Sequence, residues 1–131
     1  MDSTIVFFGT AMHSQVEKAA SAFGFANGTV TQGSQSFYLH RYSVEDQLKE
    51  LTGDEVQGIC NALGGSPASA FQVSARHGPA ARLALEVVSQ LMSQFKPAVL
   101  DDDFGHLWSS AKVSSLRDSK PDKGIYAIRD A

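Results

Sequence analysis

Cysteine is almost absent from this chain. A single Cys60 among 131 residues excludes an internal disulfide framework and a cysteine-rich zinc site. It fits a reducing compartment, so a cytoplasmic setting is the expectation. Long apolar runs are missing as well. The first one, Ile5 to Phe8, is far shorter than the ~20 residues a membrane-spanning helix needs. No basic segment precedes it, as a secretory leader would require. Basic charge is also scarce: 11 Lys and Arg face 14 Asp and Glu, for a net charge of −3. Nucleic acid and anionic membrane both call for a basic face, so neither is an expected partner.

Catalytic signatures are lacking too. The loop Gly64-Gly65-Ser66-Pro67 has no lysine after its glycines and is not a phosphate loop. Gly-x-Ser-x-Gly does not occur, and no acidic run has EF-hand spacing. The expectation is a chain with no catalytic residue, no metal and no cofactor.

What is present is the composition of a globular domain, 43% hydrophobic and 19% charged. Residues 1–131 are read as one α+β domain. The dominant stretch is Pro79 to Trp108. Ala80, Ala84, Val87, Val88, Leu91 and Phe95 recur at spacings of three and four, which predicts a long amphipathic helix. Arg82, Glu86, Ser89, Gln90 and Ser93 fall on its other face. Pro97 stops the helix. Val99-Leu100 and His106-Leu107-Trp108 then flank an acidic turn as a hairpin.

Ahead of this stretch, Ile5 to Phe8 reads as a buried strand. Ser14 to Glu17 reads as a capping box opening a helix. Ser36 to Tyr42 alternates, with Phe37 and Leu39 on one side and Tyr38, His40 and Tyr42 on the other. Bulk on both sides predicts a strand covered on both faces. Ser43 caps a short helix. Thr52-Gly53-Asp54-Glu55 is a second capping box, which opens Val56 to Leu63. Ala70 to Arg76 is a strand, and Val113 with Leu116 marks a small helix or cover. Ile125 to Ile128 reads as a last edge strand, which could pair across a two-fold axis as a homodimer. The predicted architecture is one layer of about four helices on a mixed or antiparallel sheet of four to six strands.

Charge is unevenly spread. Ser43 to Leu63 holds Glu45, Asp46, Glu50, Asp54 and Glu55 against Lys49 alone, and Asp101, Asp102 and Asp103 follow in the hairpin turn. Gathered on one side, these acids would speed docking to a basic surface. Buried aromatic anchors supply affinity at such surfaces, and Trp108 and Tyr42 are the candidates. The expected partner-binding residues are therefore Asp101, Asp102, Asp103, Glu45, Asp46, Glu50, Trp108 and Tyr42. The alternative is a small hydrolase or a ligand- or metal-binding domain. It would use His106, His77 and the Asp101–Asp103 run, because imidazole and carboxylate together can move protons.

The order Gly64-Gly65-x-Pro67, Phe71-x-Val73-x-Ala75-Arg76, an Ala/Leu-rich helix and then Phe95-Lys96-Pro97-Ala98-Val99-Leu100-Asp101-Asp102-Asp103-Phe104-Gly105-x-Leu107-Trp108-Ser109 resembles small bacterial immunity proteins. These are encoded beside the secreted toxins of contact-dependent or type VI systems. The likeness covers roughly residues 44–109. It implies a non-enzymatic protein that binds its cognate toxin and blocks the toxin's active site. It brings no catalytic residue with it.

Overall fold

A computed structural model describes residues 3–102, 106–119 and 124–126. In chain order the elements are β1 (Ser3–Phe8), α1 (His13–Ala20), β2 (Phe25–Ala26), β3 (Thr29–Gln32), β4 (Gln35–Tyr42), α2 (Val44–Lys49), α3 (Gly53–Leu63), β5 (Ser69–Ser74), α4 (Pro79–Gln94), β6 (Ala98–Asp101), β7 (Leu107–Ser109) and α5 (Ser110–Ser119). The strands form one open sheet in the order β2-β3-β4-β5-β1-β6-β7. Every pairing is antiparallel. The fold is α+β as expected. Seven strands exceed the four to six predicted, because the two-residue β2 and three-residue β7 are too short to announce themselves by alternation.

The sheet divides the molecule into two sides. Val6 and Phe8 of β1, Phe37 and Leu39 of β4, Phe71 and Val73 of β5 and Leu100 of β6 point to the larger core. There they meet Val16 and Ala20 of α1, Ala84, Leu85, Val88, Leu91 and Met92 of α4, and Val113 and Leu116 of α5. Strand residues one step out of phase, Ile5, Phe7, Ala70, Val99 and Leu107, point the other way. They meet Ile59 and Leu63 of α3, with Val44, Leu51 and Tyr42 at the margin. Helices thus cover both faces, where a single layer was predicted. α2 and α3 follow β4 and can cross only to the face that the other three helices leave open.

The helix starts follow local chemistry. Ser43 Oγ accepts from Asp46 N at 3.3 Å to open α2. At α3, Thr52 Oγ1 accepts from Glu55 N at 3.2 Å, while Glu55 Oε1 accepts from Thr52 N at 2.9 Å. That is the predicted capping box. The one predicted at Ser14 to Glu17 is displaced. α1 begins at His13, and Gln15 Oε1 accepts from Met12 N at 2.8 Å. Glu17 instead pairs with Arg41.

α4 buries the predicted stripe and also Ser89, which is fully buried. Ser89 faces Ser114 of α5 at 3.3 Å, and Ser93 faces Ser110 at 3.3 Å. The serines expected on a wet face therefore form the seam between α4 and α5. The predicted last strand is corrected as well. Residues 124–126 make a 3-10 turn, with Ile125 fully buried and Tyr126 nearly so. Gly124 approaches α4 so closely that a Cβ would lie 2.1 Å from the Ala81 carbonyl carbon. The remainder of that predicted strand, 127–128, lies outside the described residues.

Candidate functional site

The site follows from which side of the sheet each acid occupies. Glu45, Asp46 and Glu50 are exposed on or beside α2, and Asp54 and Glu55 are exposed in the first turn of α3. Asp101 ends β6 and pairs in register with Ile5, whose side chain belongs to the α3 side. Six carboxylates therefore share the α3 side, with Lys49 the one lysine among these elements. The α4 side is balanced: Glu17, Glu86 and Asp118 on its helices face Lys18, Arg82, Lys112 and Arg117.

Two hollows with carboxylates in their lining open on the acidic side. One, of about 490 Å³, is shallow and lined by Arg41, Tyr42, Ser43, Asp46, Lys49 and Glu50. It brings the predicted residues Tyr42, Asp46 and Glu50 together. Its two cations are already engaged: Lys49 lies 3.4 Å from Glu45, and Arg41 donates to Glu17. That hydrogen bond to Glu17 holds the Arg41 guanidinium above its usual pKa. The other hollow, of about 290 Å³, lies between α3 and the β6–β7 hairpin. Asp54, Glu55, Gly58, Ile59, Asp101 and Leu107 line it. Sequence reasoning placed Asp101 in the binding set and counted Asp54 and Glu55 in the acidic stretch, but did not name those two as binding residues. No local signal marks that hollow, which needs α3 and the β6–β7 hairpin to meet.

Asp101 and Asp102 do not act as one patch. Asp102 is fully buried, facing the α4 side with Leu100 and Trp108. Its carboxylate accepts from His106 N at 3.1 Å, from Trp108 Nε1 at 3.3 Å, and approaches His106 Nδ1 at 3.1 Å. It is the organising acid of the hairpin turn, and its carboxylate is closed to a partner protein. Trp108, half-buried, is held there with it, on the opposite side from Tyr42. Asp103 lies outside the described residues.

The residues of the hydrolase alternative are dispersed. His77 stacks on Tyr126 with ring centroids 4.5 Å apart. With Arg76, it lines a third hollow of about 320 Å³ at the start of α4. Asp101 lines the α3 hollow instead, and Asp102 and His106 pair across the hairpin. Among the described residues, no three His, Cys, Asp or Glu side chains gather as a metal-holding group. No helix among them is long and apolar enough to cross a membrane.

The two sides also differ in coverage. Tyr38 and His40 of β4 are exposed on the α3 side, their rings 5.3 Å apart. The strand is therefore open over Tyr38 and His40 on the face where cover was predicted, because the α3-side cluster takes in only Tyr42 at its end. No protein-family model, curated protein or solved structure matches this chain.

Proposed function

We propose that this chain is a non-enzymatic binding protein. It neutralises a cognate bacterial toxin by laying the acidic α3 side over a basic active-site cleft. The observation that carries the reading is the gathering of Glu45, Asp46, Glu50, Asp54, Glu55 and Asp101 on one side of the sheet, opposite a balanced one. A one-sided negative field raises the rate of encounter with a basic partner. Tyr42, half-buried beside Asp46 and Glu50, is the aromatic anchor on that side. Asp102 and Trp108 leave the contact set and serve the hairpin fold.

The test is binding to the product of the neighbouring gene, measured by calorimetry at low and high salt. Replacing Glu45, Asp46 and Glu50 by Gln, Asn and Gln should weaken binding and flatten its salt dependence. Unchanged affinity and slope would remove the electrostatic reading. The hydrolase alternative keeps one observation, the buried Asp102 carboxylate orienting an exposed His106 imidazole. Its test is turnover by the isolated chain that His106→Gln abolishes without unfolding it.

A further inference from the structure

The third hollow, of about 320 Å³, runs into a fourth of about 410 Å³, because Tyr38 and Ser74 line both. Ser74 stands opposite Tyr38 in the β4–β5 ladder, and Gln72 stands opposite His40. Cross-strand partners share a face, so these four side chains lie together on the open part of the sheet. Apart from Met12, Tyr38 is the one large hydrophobic side chain left exposed among the described residues, at 44%. An exposed ring beside a hollow of small-molecule size is a surface on which a flat ligand can stack.

The charge of this region is a second, independent observation. Neither lining holds a carboxylate, whereas the two hollows beside α2 and α3 hold several. Arg76 stands at the end of the joined hollows, exposed just past β5. Among the described residues nothing pairs with its guanidinium. The nearest hydroxyls in the lining, Ser36 and Ser74, are likewise unengaged there. An unpaired guanidinium beside two hydroxyls offers a fork of donors to a phosphate or carboxylate and no acceptor charge to oppose it. The start of α4 adds field of the same sign, since no side chain caps it.

We propose that the joined hollows bind a small aromatic anion, a phosphate monoester that carries a flat ring, as a nucleoside monophosphate does. Arg76 and the Ser36 and Ser74 hydroxyls take the phosphate, and the ring lies on Tyr38 beside His40. The site goes beyond the toxin-binding reading and does not depend on it. A long polyanion is a poorer occupant. Past Tyr42 the same side of the sheet turns to Asp46 and Glu50, and the chain as a whole carries a net charge of −3.

The experiment is amide NMR titration of the full chain with adenosine monophosphate. Adenosine supplies the ring alone and ribose phosphate the anion alone. The nucleotide should give saturable shifts centred on Ser36, Tyr38, Ser74 and Arg76, with a dissociation constant at least threefold lower than either control. Arg76→Gln removes the cation, and Tyr38→Thr removes the ring while keeping a good strand former. Each should weaken nucleotide binding at least threefold in a chain that thermal melting shows to be folded. No saturation with the nucleotide, or binding untouched by both variants, would overturn the site. Ribose phosphate binding as tightly as the nucleotide would overturn the stacking ring, and adenosine binding as tightly would overturn the anion. A single-stranded oligonucleotide that binds more tightly than the mononucleotide would overturn the small ligand in favour of a nucleic-acid strand.

Discussion

The two sides of the sheet solve different problems. On the α4 side, α1, α4 and α5 bury a continuous run of aliphatic and aromatic side chains, and their exposed charges nearly cancel. On the α3 side, two helices bury a small cluster around Ile59, Leu63, Phe7 and Val99, while their exposed charges are acidic but for Lys49. A face that concentrates like charge works against its own packing through self-repulsion. The division places that repulsion where less core depends on it. The larger core belongs to one side of the molecule and the concentrated acidic charge to the other.

The contrast can be broken from the packed side first. Phe71 is fully buried and meets Phe8 edge to face. Phe71→Ala should cost about 3–5 kcal/mol, read by chemical denaturation. A loss below 1 kcal/mol would mean that the larger core is not the main support. Next comes the turn at 124–126. Gly124 has φ +59° and meets the α4 backbone. Gly124→Ala should cost about 2–4 kcal/mol, combining an overpacked contact with a left-handed backbone. Tyr126 shows why that turn matters: its hydroxyl donates to the Ala75 carbonyl and accepts from Ala75 N, which ties the end of β5 down.

Asp102→Asn comes third, at about 1–3 kcal/mol, because it leaves a buried donor without its acceptor. Trp108 is the one tryptophan in the chain, so its fluorescence reports this hairpin directly. A change of stability without a spectral change would place Asp102's contribution elsewhere. Smallest of all should be the joint neutralisation of Glu45, Asp46 and Glu50. These acids are exposed, so folding stability should move by no more than about 0.5 kcal/mol per site. A large loss of stability there would show that the acidic side is structural after all.

Much of this contrast was legible in the residues. The spacing of Ala84, Val87, Val88 and Leu91 predicted α4, and Thr52 to Glu55 predicted the start of α3, because both signals are local. The hairpin that brings Leu100 and Trp108 together followed from apolar residues on either side of a polar turn, but its register did not. What could not be read was which element lies on which face. Asp101 and Asp102 are neighbours in sequence, yet strand alternation sends one to the acidic rim and buries the other beneath the hairpin. Ser89 looked polar by type and is buried by partnership with Ser114, a contact made 25 residues away. The α3 hollow needs α3 and β6 to meet across the sheet, which no window of sequence encodes.

The proposed division into a packed side and a recognising side is tested most directly by association kinetics with a toxin that the chain is found to bind, across a salt series. Two variants are compared: one with Glu45, Asp46, Glu50 and Asp101 neutralised, the other with Glu86 and Asp118 neutralised on the α4 side. The account predicts that the first slows association at low salt by about tenfold or more and erases most of the salt dependence, as loss of steering should. The second should follow the unmodified protein. Equal slowing by both variants, or association that ignores salt in the unmodified chain, would contradict it.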